Sequence, residues 1–390
     1  MAIKKLYFFT FLAAISCQVY AGCKNYGGKC PQEAPCCTEG WCGTSGFCLA
    51  TKCDPANSFS PTSCLPKPLC VSFNDNFDSD KIVPALTFDG NPNSGYDWTS
   101  DFSPNHATVE NGQLVLNMPL GTNKNEFGDV QGFGATVSSV RWIQYGKVSA
   151  RVKSASTSPG VVTAFILRNP EGDEIDFEWV GGNPHQVQTN YYYNGIIDWE
   201  NGGKHNIGSD TSKGFHDYMF DWDEEYIKFS VDNKVVRTLY KKDTWDEKLK
   251  VYKFPSRLAL VQVGLWDGGR GSEGTTDWAG GKTDWSNPDT VYKAYFDHIN
   301  VECKYGGNET QVWPTSTTSV VTPTTTSVSS STETSLVEEI KTSEQGTSSS
   351  TASDSNPTGS FVAEESSATS HRAHSALAGI ACLIAGYFLG

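Results

Sequence analysis

The chain has 390 residues, with 44 Asp and Glu against 30 Lys and Arg, for a formal charge of −14. Such a surface repels phosphate backbones and excludes nucleic acid as the partner. The composition is uneven, so the chain is not one folded body. Residues 1–21 carry Lys4 and Lys5, an apolar run over 6–15, and Val19-Tyr20-Ala21. This is the pattern of a secretory signal peptide cleaved after Ala21. The apolar run is well short of the roughly 20 residues that cross a bilayer.

Of 12 cysteines, Cys17 lies in the signal and Cys382 in the last segment. The other ten form an even set that an oxidising compartment pairs. Nine of them fall in residues 22–70, a segment too small to fold without cross-links. From Cys23 to Cys48 the spacing is C-x6-C-x5-C-C-x4-C-x5-C, which resembles a hevein-type chitin-binding module. That resemblance implies Cys23–Cys37, Cys30–Cys42 and Cys36–Cys48, and places Trp41 and Phe47 on the sugar-binding surface. The loop between Cys37 and Cys42 is one residue shorter than the usual pattern, so a purely structural knot is the alternative. The remaining cysteines pair most simply as Cys53–Cys64 and Cys70–Cys303, although spacing alone does not fix connectivity.

Residues 71–303 form the large domain. Strand-like runs recur at 114–118, 146–153, 161–167, 174–180, 187–193, 216–222, 226–231, 234–240, 258–265 and 291–301. Gly, Asn, Asp and Pro separate them. Asp232-Asn233 reads as a tight hairpin turn, and residues 244–250 as helical. Many short strands without interleaved helices predict an all-β fold, an antiparallel β-jelly-roll sandwich of the concanavalin-like kind.

The most informative run is Asp173-Glu174-Ile175-Asp176-Phe177-Glu178-Trp179. Side chains alternate along a strand, so Glu174, Asp176 and Glu178 share one face and the apolar residues take the core face. The acids are expected on the exposed face, as the floor of a cleft. Like charges at every second position disfavour a plain solvated strand, and nearby ligands for a calcium site are lacking. Hydrolysis with retention needs two carboxyl groups about 5–5.5 Å apart. A middle Asp can hydrogen-bond either one and separate their pKa values.

The run D-E-I-D-F-E-W resembles the signature of glycoside hydrolase family 16, and specifically its fungal Crh cell-wall transglycosylases. The likeness extends over about 80–303, through Tyr145-Gly146-Lys147-Val148, Gln188-Thr189-Asn190-Tyr191-Tyr192, and Asp277-Trp278-Ala279-Gly280-Gly281. It implies a jelly roll with a long cleft, Glu174 as nucleophile, Asp176 as helper and Glu178 as general acid/base. It also implies chitin as donor and β-glucan or chitin as acceptor.

Transfer in place of hydrolysis requires a site that binds an acceptor sugar. Trp266, Trp278 and Trp285 cluster with glycines and aspartates, and indole faces stack on sugar rings. Trp278 and Trp285 are expected to be exposed. Gln188, Asn190 and Tyr192 share one face of the next strand and are expected to touch the donor. Plain hydrolysis of β-glucan or chitin, or a lectin without chemistry, are the rival readings. No phosphate loop, nucleophilic triad or His/Cys metal cluster is evident, so neither cofactor nor metal is expected.

Residues 311–370 contain 31 Ser or Thr, the composition of a disordered, O-glycosylated stalk. The stalk is assigned to residues 304–370, with an N-glycosylation acceptor at Asn308. Residues 371–390 end in an apolar run with no basic residue after it. Small residues and a polar spacer precede it, the layout of a glycosylphosphatidylinositol (GPI) signal, with Ser366 as the attachment residue. A secreted monomer held by lipid at the outer face of the plasma membrane and in the cell wall is expected.

Overall fold

The computed structural model describes residues 20–306, apart from 24–27, 39 and 197. Residues 1–19 of the signal segment read at 1–21, Asn308, the stalk beyond residue 306, Ser366 and the C-terminal signal lie outside the described residues. A small N-terminal sheet comprises β1 (Tyr20–Gly22), β2 (Cys36–Thr38) and β3 (Trp41–Gly43). The large domain opens with β4 (Phe73–Asp75), β5 (Ile82–Pro84), β6 (Trp98–Phe102), β7 (Ala107–Val109), β8 (Leu114–Lys124) and β9 (Val130–Gly132). It continues with β10 (Ala135–Ile143), β11 (Gly146–Lys153), β12 (Val161–Arg168), β13 (Glu174–Val180), β14 (Gln186–Tyr192) and β15 (Gly203–Asn206). Next come β16 (His216–Trp222), β17 (Tyr226–Val231), β18 (Lys234–Tyr240), β19 (Trp245–Asp246) and β20 (Val251–Tyr252). It closes with β21 (Ala259–Asp267), α1 (Glu273–Trp278) and β22 (Val291–Cys303).

Two sheets build the sandwich. One runs β15-β14-β13-β12-β21-β10-β6-β5, and the other β18-β17-β16-β11-β22-β8-β7, with β4 on β22 and β9 on β8. Pairing is antiparallel except between β5 and β6. The strand pattern explains the layering. Ile175, Phe177 and Trp179 enter the shared core with Phe165, Tyr218, Phe220 and Phe229, leaving the even positions of β13 on the outer face of the first sheet. Buried indole polarity is met within the core, where Trp179 Nε1 donates to Tyr218 Oη at 3.0 Å.

Asp232 and Asn233 both hold positive φ, 47° and 64°, the geometry of the hairpin turn read from the sequence. The helical reading of 244–250 is corrected. Residues 241–244 form a 3₁₀ turn and Trp245–Asp246 pairs with β20. The ring of Trp245 packs edge-on against Tyr252 at 4.9 Å, a cross-strand contact unavailable to an isolated helix. The α-helix of the described residues is α1, capped by Ser272 accepting from the Thr275 amide at 3.3 Å.

Five disulfides are present: Cys23–Cys37, Cys30–Cys42, Cys36–Cys48, Cys53–Cys64 and Cys70–Cys303. These are the pairs named from the sequence. The N-terminal module does not stand apart. Its Cys36, Cys48, Leu49 and Leu65 pack in one apolar cluster with Val83, Phe88 and Val140 of the large domain. Trp41 is 49% exposed, and Phe47, at 36%, lies with its ring against Gly43.

Candidate active site

On β13 the three acids are flanked by β14, with Glu174 opposite Tyr192, Asp176 opposite Asn190, and Glu178 opposite Gln188. On the other side β12 places Arg168, Ile166 and Ala164 against them in the same order. Beyond Ala164 comes Gly264 of β21, then Thr136 of β10. Ala164 and Gly264 place little side chain beside Glu178 on this flank. The residues expected to touch the donor are therefore direct cross-strand neighbours of the acids.

The expectation of an exposed acid face is corrected. Glu174 and Glu178 are each 8% exposed and Asp176 is 1% exposed. Walls of side chains explain this. Trp278 donates from Nε1 to Gln188 Oε1 at 3.0 Å and stacks on Trp266, with centroids 5.8 Å apart and planes 19° off parallel. Both indoles are half-buried, and they pack with Val162, Val180 and Ala279 along one rim. Trp285 departs from expectation. It packs against the main core, edge-on to Tyr292 at 5.0 Å, and donates to Asp267 at 2.9 Å. Asp267 also accepts the amides of Gly132 and Gly269 and the hydroxyl of Thr283. Trp285 thus belongs to a knot that ties loops together.

Burial raises the pKa of all three acids, but each meets different charges. Glu174 is raised by burial and pulled back by Arg168, whose Nε lies 3.7 Å from its carboxylate. Glu178 is raised well above the usual range by burial and then by the charges of Asp176 and Glu174. Asp176 is raised well above its usual value by burial and by Glu174, against Arg237 and the Asn190 amide. Neither oxygen of Asp176 makes a hydrogen bond of normal geometry; the Asn190 amide is near enough only to moderate the shift. The expected bond from the middle Asp to a neighbouring carboxyl is absent. Tyr192 is held as the neutral phenol by burial and by these same acids, and its oxygen accepts from Asn190 Nδ2 at 2.9 Å.

Two features escaped the sequence reading. Arg168 falls one residue past the strand predicted at 161–167, and only the alternation of side chains along β12 would have placed it beside Glu174. Asp173 accepts from the amides of Asn194, Ser256 and Arg257 and from the Arg257 guanidinium, at 3.0, 3.2, 3.2 and 2.9 Å. It fastens the start of β13 to two loops. Gly172, at φ +88°, lies so close that a Cβ there would meet the Gly195 amide nitrogen at 2.2 Å.

A carboxyl group whose pKa is raised on folding retains a proton that the unfolded chain releases. The resulting destabilisation is absent below the unfolded carboxyl pKa of about 4.3 and grows as pH rises toward the folded value. Glu178→Gln is therefore expected to raise the Tm at neutral pH, the gain shrinking to nothing in acid. Thermal unfolding across pH 3–8 checks this, and a gain independent of pH refutes it.

Residues 94–287 match the family described as "Glycosyl hydrolases family 16". "Crh-like protein 2" of Aspergillus fumigatus is 36% identical over 283 residues, 70% of this chain and 60% of its own length. "Congo red hypersensitive protein 2" of Saccharomyces cerevisiae is 34% identical over 320 residues, 79% of this chain and 64% of its own. The chain thus spans about three fifths of the length of these curated relatives. Among solved structures, an apo Crh5 transglycosylase aligns with a TM-score of 0.49 and 24% identity, covering 61% of this chain and 87% of that one.

Proposed function

Because the domain at residues 94–287 belongs to glycosyl hydrolase family 16, we propose that the protein is an extracellular retaining transglycosylase. It cleaves chitin and transfers the released chain to a β-glucan or chitin acceptor. The observation that carries this reading is the unequal charge around three buried acids. Arg168 sits beside Glu174 alone, so Glu174 ionises most readily and acts as the nucleophile. Glu178 has two carboxyl groups as its charged neighbours and no cation to offset them. It keeps a proton and gives it to the leaving oxygen.

The chemistry balances in two displacements. Glu174 attacks the anomeric carbon as the glycosidic C–O bond breaks, and the Glu178 proton goes to the departing sugar. Glu178, now ionised, takes a proton from an acceptor hydroxyl, whose oxygen replaces Glu174 at the anomeric carbon. Asp176 stays protonated between them and steadies the carboxyl orientations. Gln188, Asn190 and Tyr192 contact the donor ring. Trp278 and Trp266 line the rim, where a stacked acceptor competes with water. No step calls for a metal or cofactor.

Around this core the mature protein is read as residues 22–70, a hevein-like chitin-binding module using Trp41 and Phe47, joined to the catalytic domain at 71–303. A stalk over 304–370, glycosylated at Asn308 and lipidated at Ser366, holds the monomer at the outer face of the membrane and in the wall. Incubating the secreted protein with chitin oligomers and a fluorescent glucan tests the reading. Labelled products longer than the acceptor support transfer. Shortened oligomers alone leave a hydrolase, and binding without product leaves a lectin.

A further inference from the structure

Beside the acids, the direction of one amide is settled by a single contact. The Trp278 indole N–H donates to Gln188 Oε1 at 3.0 Å. An indole nitrogen can only donate, so the carbonyl end of the Gln188 amide faces it; the reversed amide would set two donors against each other. Gln188 Nε2 therefore points away from Trp278. It has no hydrogen-bond partner among the described residues, and Gln188 is half-buried. Its side chain lies on the face that carries the acids, since its neighbours Val187 and Thr189 are fully buried on the other.

The backbone holds Trp278 in place for this contact. Trp278 ends α1, and the Ala279 amide closes the turn on Thr275 at 2.9 Å. Gly280, at φ +89°, then lies so close to the turn between β13 and β14 that a Cβ would meet Gly182 Cα at 2.3 Å. The end of the helix is thus pinned to the turn joining the strands of Glu178 and Gln188. The groups nearby leave the Gln188 amide without a rival. Asn190 gives its Oδ1 to the Tyr191 amide at 2.8 Å and an N–H to Tyr192 Oη at 2.9 Å. On the other flank of Glu178, Ala164 and Gly264 bring no polar side chain.

Resting on the polysaccharide reading of this cleft, we infer that Gln188 reads the acetamido oxygen of the donor sugar beside Glu178, and that Trp278 is its positioning residue. An acetamido oxygen only accepts, and the aimed N–H pair only donates, so the two match. A sugar hydroxyl in the same place is shorter and carries a proton of its own. Gln188 offers that proton little, because its carbonyl is engaged by the indole. An amide free to turn would present either end and would serve both substituents alike. The indole bond converts it into a group that favours one of them, which is how specificity arises as a difference between two affinities. The Trp278 ring therefore has two uses, its face for stacking and its N–H for ordering Gln188.

The test compares chitin oligomers with glucose oligomers of equal length and the same linkage, which carry a hydroxyl where chitin carries the acetamido group. Affinities are read in the full secreted Glu174→Gln chain, so the comparison does not depend on turnover, and kcat/KM is read with Glu174 intact. Trp278→Phe keeps a ring that can stack and loses the N–H, whereas Gln188→Leu removes the amide. In each, the preference for the acetamido series is expected to fall about fivefold to tenfold, the scale of one hydrogen bond. The double variant is expected to fall little further, because both changes remove the same ordered amide. An unchanged preference, or equal loss in both series, overturns the assignment of Gln188. A preference lost in Gln188→Leu but kept in Trp278→Phe, or losses that multiply in the double variant, overturns the role of Trp278. Wild-type protein that binds neither series overturns the polysaccharide reading instead.

Discussion

Glu178→Gln is expected to lower turnover of chitin oligomers by about 10²–10⁴-fold, the usual contribution of a positioned general acid. The amide keeps the shape of the side chain but cannot supply the proton. The loss should depend on the leaving group. A donor with an acidic aryl leaving group needs little protonation and should recover most of its first-step rate. Glu174→Gln should lose at least as much and recover nothing with the activated donor, because no nucleophile remains. That contrast separates the two roles, and equal behaviour of both variants with both donors would erase the assignment. The pH profile of kcat/KM should be bell-shaped, with both limbs above ordinary carboxyl values, because burial raises Glu174 and Glu178 alike. On the proposed roles, activity should rise as Glu174 loses its proton and fall as Glu178 loses its own.

Removal of the Cys70–Cys303 bridge is expected to produce the largest loss of stability from a single covalent change. The two residues are 233 positions apart, and loop entropy on that scale contributes about 5 kcal/mol. For a domain of this size that corresponds to a fall in Tm of roughly 10–20 °C. The Cys53–Cys64 bridge closes a loop of 11 positions and should contribute about 3 kcal/mol by the same reasoning. Thermal unfolding of the two paired Ser variants gives the comparison. If the short bridge proves worth as much as the long one, chain entropy is not what the long one controls.

Local pattern carried much of the architecture. The run at 174–180 became β13 residue for residue, and those at 216–222, 226–231 and 234–240 became β16, β17 and β18. Each is rich in β-branched or aromatic residues and set off by Gly, Asn or Asp, and residues 174–179 also alternate polar and apolar. β10 was not foreseen. Its sequence, ATVSSVRWI, is broken by polar residues and by a shift in register between Ser138 and Trp142. Its polar face meets Asp101 and Gln262 from strands distant in the chain, a relation no local window contains. The same limit applies at the site. The acids were legible because a single strand holds all of them, whereas Arg168 and Asp173 act through partners brought in by pairing and by loops. Trp285 was misread because its Gly-, Asp- and Thr-rich surroundings look solvated, although Asp267 draws its indole inward.

The bridge between Cys70 and Cys303 also has a mechanical consequence. Their Cα atoms lie 6.1 Å apart, so the chain enters and leaves the sandwich at one point. If the front end grips a polymer while the tail is fastened to lipid, tension passes through a covalent shunt that bypasses the strands between. On that reading the load would bypass β13, and the cleft would keep its shape under tension.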